Sequence, residues 1–167
     1  MPSEADEAVM RRNVDALADR FASPRFQPHL TLVEEQEREF SGLAAACNAA
    51  AAGVKPFFAT VLSVDTSDLY FRSLYARFQA DGALTHLRHS LGESLALEAA
   101  GPFMPHISLA YGIAPGAEKE KARVALEREL AGRPVTFDRI CLVASAKTIP
   151  VAMWAVEFTV ALNAALA

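Results

Sequence analysis

One phrase occurs twice in this chain. Residues 28–33 read Pro-His-Leu-Thr-Leu-Val, and residues 105–110 read Pro-His-Ile-Ser-Leu-Ala. Each copy sets a histidine and a hydroxyl residue two apart in an apolar run, with an aromatic two residues ahead of the proline, Phe26 and Phe103. The copies use two of the chain's four histidines. In a strand, residues i and i+2 point to the same face. His29 and Thr31 therefore share one face, and His106 and Ser108 share another. A fold that carries this phrase in two equivalent places can present the two faces to each other across a groove.

The surroundings repeat as well. Helical periodicity over 4–21 carries Val9, Val14, Leu17 and Phe21 on one stripe, with Ser3 as N-cap and Asp6 and Glu7 in the first turn. A strand at 29–34 follows, then a helix over 40–52 closed by Gly53 and strands at 56–64 and 69–78 joined by a turn at 65–68. The second half starts with a helix over 81–98 and continues with a strand at 106–111, a charged helix over 117–131 and strands at 135–144 and 151–161. The series is helix, strand, helix, strand, strand, taken twice. It predicts an α+β fold of two pseudo-twofold-related lobes, each a small antiparallel-rich sheet backed by helices, around a central groove. The whole of 1–167 reads as a single bilobal domain with an internal repeat.

With 167 residues, 52% hydrophobic and 22% charged, the chain can bury a substantial core. A net charge of −4 excludes a broad basic face for long nucleic acid, but leaves room for a small phosphate held by a few local groups. No stretch reaches the roughly 18 apolar residues of a membrane span. The acidic opening Met1-Pro-Ser-Glu-Ala-Asp-Glu does not read as a signal peptide, so a cytoplasmic location is expected. Cys47 and Cys141 are in no redox or metal-binding spacing and read as buried free thiols.

Histidine is matched to proton transfer near neutral pH, its reference pKa being about 6.5. One imidazole can activate water while the other protonates a leaving oxygen. Thr31 and Ser108 can then donate to the non-bridging oxygens of a phosphate between them. No cofactor or metal is expected, because neither phrase carries the carboxylate or cysteine that would complete a zinc ligand set. A lone His-x-Thr would read as a structural residue in a strand; the duplication carries the catalytic reading.

The two phrases resemble the paired His-x-Thr/Ser signature of the 2H phosphoesterase superfamily. Pro24-Arg-Phe-Gln-Pro-His-Leu-Thr31 is similar to the first motif with its lead-in, and Phe103-Met-Pro-His-Ile-Ser-Leu-Ala-Tyr-Gly112 to the second. Within the superfamily the chain resembles cyclic phosphodiesterases that act on 2′,3′-cyclic nucleotides and ADP-ribose 1″,2″-cyclic phosphate. The resemblance implies a LigT-like fold, His29 and His106 as the catalytic pair, and Thr31 and Ser108 as phosphate-binding hydroxyls. It makes His106 the base toward water and His29 the acid toward the departing ribose oxygen. It places Tyr111 near the phosphate or ribose, and residues Tyr70 to Tyr75 in a strand lining the pocket. The products implied are a 2′-phosphate or an ADP-ribose 1″-phosphate, without metal. The partner implied is one small cyclic phosphate nucleotide.

The chain departs from the family pattern at its start, where it enters the first helix without the strand the family places there. A monomer is expected, with a sheet edge left open to a second copy. In the strand predicted at 69–78, Phe71 and Tyr75 share a face with Ser73, and can stack on a base or form core. Arg72 reads as solvated, with a place near a phosphate as the alternative, His86 and His89 as surface or packing residues on a helix, and Lys147 and Thr148 as a late turn within reach of the groove. Three other readings compete: RNA 2′-5′ ligation or RNA-end trimming within the superfamily, a nucleotide-phosphate binding protein without turnover, and a structural domain with a fortuitous repeat.

Overall fold

A computed structural model describes residues 1–34, 38–80, 82–97, 102–145 and 148–163. The first helix, α1 (Glu4–Phe21), begins where Ser3 accepts the Asp6 N–H and ends at Ala22 in the left-handed region. Its buried side includes Met10, Val14 and Leu17, while Val9 is half-buried. Helix α2 (Phe40–Ala51) buries small residues, Ala46, Cys47, Ala50 and Ala51, which lets α3 (Gly82–Ser94) pack closely through Leu87 and Leu91. Helix α4 (Ala117–Leu130) turns Ala122, Leu126 and Leu130 inward.

Six strands form two antiparallel sheets. The larger, in the order β3-β2-β1-β4, consists of β1 (Phe57–Thr66), β2 (Leu74–Phe78), β3 (His106–Ala110) and β4 (Pro134–Phe137). The smaller is the pair β5 (Arg139–Ala144) and β6 (Ala155–Ala161). One core lies between the larger sheet and α1 with α4, around Met10, Val61, Leu74, Ile107, Leu130 and Val135. A second lies between the smaller sheet and α2 with α3. The α+β class and the two helix-backed antiparallel sheets agree with the sequence reading.

The partition of strands differs from a lobe-by-lobe repeat. β3 and β4, from the second half, complete the sheet founded by β1 and β2, from the first. The run 135–144, read as one strand, is two strands in different sheets. The break is at Asp138, whose carbonyl leaves the first sheet to accept the Leu162 N–H at 2.7 Å. The run 69–78 is a strand only from Leu74. Tyr70–Arg72 forms a 3-10 turn, wound by the Ser67 hydroxyl donating to the Arg72 carbonyl at 2.6 Å. Phe71 therefore does not alternate with Ser73 and Tyr75 as a strand residue would. Residues 151–153 are likewise a 3-10 turn ahead of β6. The first phrase makes no extended strand: it meets the sheet through a single antiparallel bridge, Leu30 to Ile107.

Among the described residues no helix is long and apolar enough to cross a membrane. Cys47 is buried and Cys141 half-buried, both as free thiols.

Ile107 is fully buried at the point where the two phrases meet. Ile107→Ala is expected to lower unfolding free energy by about 2–5 kcal/mol, the range for emptying a packed aliphatic site, as read by urea denaturation with the m-value unchanged.

Candidate active site

The bridge between Leu30 and Ile107 fixes the geometry of the site. β3 is the edge strand of the larger sheet, paired to β2 on one side, and its free side takes the first phrase. Antiparallel register about this bridge sets His29 opposite Ser108 and Thr31 opposite His106. Leu30 and Ile107 turn into the core, so their neighbours along the chain take the other face. The four polar residues of the two phrases share that face. The histidines are diagonal across it, and the hydroxyl residues occupy the other diagonal. Diagonal neighbours of an antiparallel pair stand about 7–8 Å apart at the backbone, so both rings border one small patch.

The aromatic lead-in of the first phrase serves the same register. Phe26 stacks on Tyr111 with ring centroids 3.9 Å apart and planes 8° from parallel. Phe103, the equivalent residue of the second phrase, lies under the Arg88 guanidinium at 4.7 Å.

Both imidazoles are held in the same way. His29 Nδ1 is 2.7 Å from the Gln27 carbonyl, and His106 Nδ1 is 3.0 Å from the Met104 carbonyl. A carbonyl can only accept, so each Nδ1 carries a hydrogen and each Nε2 is left to exchange a proton with a ligand. The accepting residue precedes the proline in both phrases. Proline confines that residue to extended backbone, which holds its carbonyl toward the ring two positions on. Thus Pro28 and Pro105 belong to the tautomer-setting device.

Burial pushes both imidazoles below their ordinary pKa, with the carbonyl bonds working against it. The charge of His106 bears on His29 in the same direction. Arg72 lowers His106 further. Both shifts favour the neutral ring.

The two hydroxyl residues differ. Thr31 is exposed, with no hydrogen bond to a described residue. Ser108 is buried and donates to the Phe71 carbonyl at 2.8 Å. Tyr111 is buried, and burial drives its phenol far above the usual range, opposed by a hydrogen bond with Ser108. Tyr75 lies opposite Ser108 in the β2–β3 register and sets its ring edge-on to His106 at 5.4 Å. Phe71 stacks with Trp154 at 5.7 Å and meets Tyr111 edge-on at 5.3 Å.

Trp154, whose ring is 6.3 Å from His29, was not singled out in the sequence. It is the chain's one tryptophan, and that is the only signal the sequence offers for it. A cavity of about 380 Å³ opens beside His29, Thr31 and Trp154 and runs between α2 and β5 toward Cys47 and Cys141. His106 and Ser108 are not on its wall. His86 and His89 are exposed on α3, His89 beside Glu93 at 3.2 Å. Thr148 is exposed, and Lys147 lies outside the described residues. Among the described residues, no three His, Cys, Asp or Glu side chains gather as a metal site would require.

A family model described as the 2′-5′ RNA ligase superfamily matches residues 2–148. The chain belongs to the 2′-5′ RNA ligase superfamily. These are the 2H phosphoesterases, which the duplicated phrase resembles. A protein of Arabidopsis thaliana named cyclic phosphodiesterase is 26% identical over 152 residues, covering 85% of this chain and 80% of its own length. Among solved structures, TT0787 of Thermus thermophilus superposes with a TM-score of 0.55 at 24% identity. Escherichia coli LigT in apo form does so with a TM-score of 0.60 at 18% identity. Each covers 93% of this chain and 92% of the other. The fold of this superfamily member is thus LigT-like, and its superfamily is one of phosphoesterases.

Gly112 closes the second phrase at φ 66°, and its N–H donates to the Tyr70 carbonyl at 2.9 Å. A Cβ there would come within 2.6 Å of the Tyr70 ring. Gly112→Ala is expected to cost roughly 1–2 kcal/mol, from positive-φ strain and the displaced ring. Thermal unfolding checks this, with Gly42→Ala, where a Cβ meets nothing within 4 Å, as the comparison that leaves stability unimpaired.

Proposed function

We propose that this protein hydrolyses a cyclic phosphodiester without a metal. The substrate is a 2′,3′-cyclic nucleotide, converted to its 2′-phosphate, or ADP-ribose 1″,2″-cyclic phosphate, converted to ADP-ribose 1″-phosphate. The observation that carries this reading is the pair of imidazoles set diagonally about one bridge, each with Nδ1 committed to a carbonyl. An Nε2 on either side of a phosphate is what in-line displacement asks for: one to take a proton from water, the other to give one to the oxygen that leaves. The cyclic phosphodiesterase relative supports the substrate class.

In the proposed step His106 Nε2 accepts a proton from water as the water oxygen bonds to phosphorus. The bond to the ribose 3′-oxygen breaks, or to the 2″-oxygen in the ADP-ribose substrate, and that oxygen takes the proton carried by His29 Nε2. The roles are supported by charge: Arg72 disfavours the imidazolium form of His106 and so keeps it available as a base. His29 acquires its proton against burial once the phosphate anion is bound, because an adjacent negative charge stabilises the imidazolium. Thr31 donates to a non-bridging oxygen directly. Ser108 does so by rotating its hydroxyl hydrogen away from the Phe71 carbonyl. Phe71, Tyr75 and Tyr111 bound the ribose side, with Trp154 beside His29.

His29→Ala and His106→Ala are each expected to lower kcat/KM by about 10²–10⁴ on 2′,3′-cyclic AMP, the range for losing one general acid or base. EDTA is expected to leave the parent rate unchanged. Turnover that survives in both variants, or that chelation abolishes, counts against the mechanism. On an aryl phosphodiester, whose leaving group needs little protonation, His29→Ala should recover far more of its rate than His106→Ala; equal recovery would remove the assignment of roles.

The pH dependence follows from the depressed imidazoles. kcat/KM reports the free enzyme, which must hold one ring neutral and one protonated. Both rings titrate below their ordinary value of about 6.5, so the bell should peak on the acid side of that value and fall as pH rises toward 8. The kcat profile should lie at higher pH, because bound phosphate raises the acid's pKa. Initial rates from pH 4.5 to 8.5 test this, and a kcat/KM maximum above pH 7 contradicts it.

A further inference from the structure

Two arginines flank His106, and only one of them is neutralised. Arg77, opposite His106 in the β2–β3 register, pairs with Asp65 at 3.0 Å and donates to the Ser63 hydroxyl at 3.1 Å. Arg72 has neither kind of partner. Its Nε is buried without a hydrogen-bond acceptor, and its side chain forms no ion pair with a described residue. Its guanidinium carbon lies 5.6 Å from the centre of the Tyr75 ring, and that ring lies against His106.

Leaving the buried Nε unsatisfied costs stability, and the backbone around it is nonetheless held firmly. The Arg72 N–H donates to the Leu69 carbonyl at 3.1 Å, and its carbonyl accepts from Ser67 at 2.6 Å. The preceding carbonyl, that of Phe71, takes the Ser108 hydroxyl. The turn thus fixes a cation next to the four-residue face and gives it no counter-charge of its own.

We infer that Arg72 is an anion-binding residue of this site, its guanidinium fork supplying two donors to the non-bridging oxygens of the substrate phosphate on the His106 side. The inference rests on the phosphoester reading and deepens it, adding a charge that the duplicated phrase does not contain. It also answers the asymmetry of the hydroxyls: Ser108 is tied to Phe71 on the side where Arg72 stands, whereas Thr31, on the other side, is free. A phosphate arriving in the groove meets one ready hydroxyl and one ready cation. The charge of Arg72 acts on His106 as well, so the residue that holds the phosphate also helps keep the neighbouring imidazole neutral.

The test is binding of inorganic phosphate to the whole chain by isothermal titration calorimetry, read beside thermal unfolding. Arg72→Met is expected to weaken phosphate binding roughly 10- to 100-fold, the equivalent of one charge-assisted fork, with melting temperature held or raised. Arg72→Lys should fall between, because lysine keeps the charge and loses the bidentate geometry. Phosphate affinity within twofold of the parent in Arg72→Met overturns the inference, as does a parent chain that binds no phosphate at tens of millimolar. Should Arg72→Met fail to fold, Arg72→Lys decides: a several-fold loss at native stability supports the assignment, and unchanged affinity refutes it. The calorimetry needs no turnover. A parent that binds phosphate through Arg72 yet hydrolyses no cyclic phosphodiester would remove the proposed reaction and leave this assignment standing.

Discussion

A single pair of backbone partners, Leu30 and Ile107, holds this molecule's chemistry together. Their side chains close the larger core, and by closing it they turn His29, Thr31, His106 and Ser108 onto one surface. Because side chains alternate along extended backbone, a slip of one residue would send one imidazole inward and bring out an aliphatic residue in its place. The register is defended by the stack of Phe26 on Tyr111, which obeys the same antiparallel pairing further along both segments. The hydrophobic effect thus sets the geometry of the candidate site indirectly, through the residues between the polar ones.

The two halves are equivalent in pattern and unequal in electrostatics. Both histidines donate to a pre-proline carbonyl, so the tautomer is set twice by one device. Around that common device the surroundings diverge. His29 has Trp154 and the cavity beside it; His106 has Tyr75 and the charge of Arg72. A symmetric pair would have no reason to divide acid from base. In the proposed mechanism the division is supplied by unlike neighbours, contributed by the 3-10 turn ahead of β2 and the segment ahead of β6.

Much of this was legible in the sequence. The helices were, because Ser3, the apolar spacing of α1 and the glycine and proline stops are local signals. The four polar residues of the groove were, because the phrase recurs. The strand boundaries around Asp138 were not: an apolar run interrupted by one polar residue looks the same whether it stays in a sheet or crosses to another. Tyr70 to Arg72 carries strong strand formers, and a serine hydroxyl five residues from the carbonyl it captures overrides them. That Arg72 lacks a counter-charge among the described residues was not legible, because whether a cation is paired depends on what the rest of the chain brings near it. Trp154 is far from both phrases in sequence, and nothing local announces its place beside His29.

The exchange of strands between the halves bears on how the molecule is made. β3 docks on strands laid down much earlier, and the segment it must meet at Leu30 comes earlier still. Such pairings of sequence-distant segments raise the contact order and slow the search for the native state. Neither half can be excised as a working miniature, since each would hold one imidazole and an unfinished sheet. The groove face is therefore complete only when both halves of the chain are present and paired.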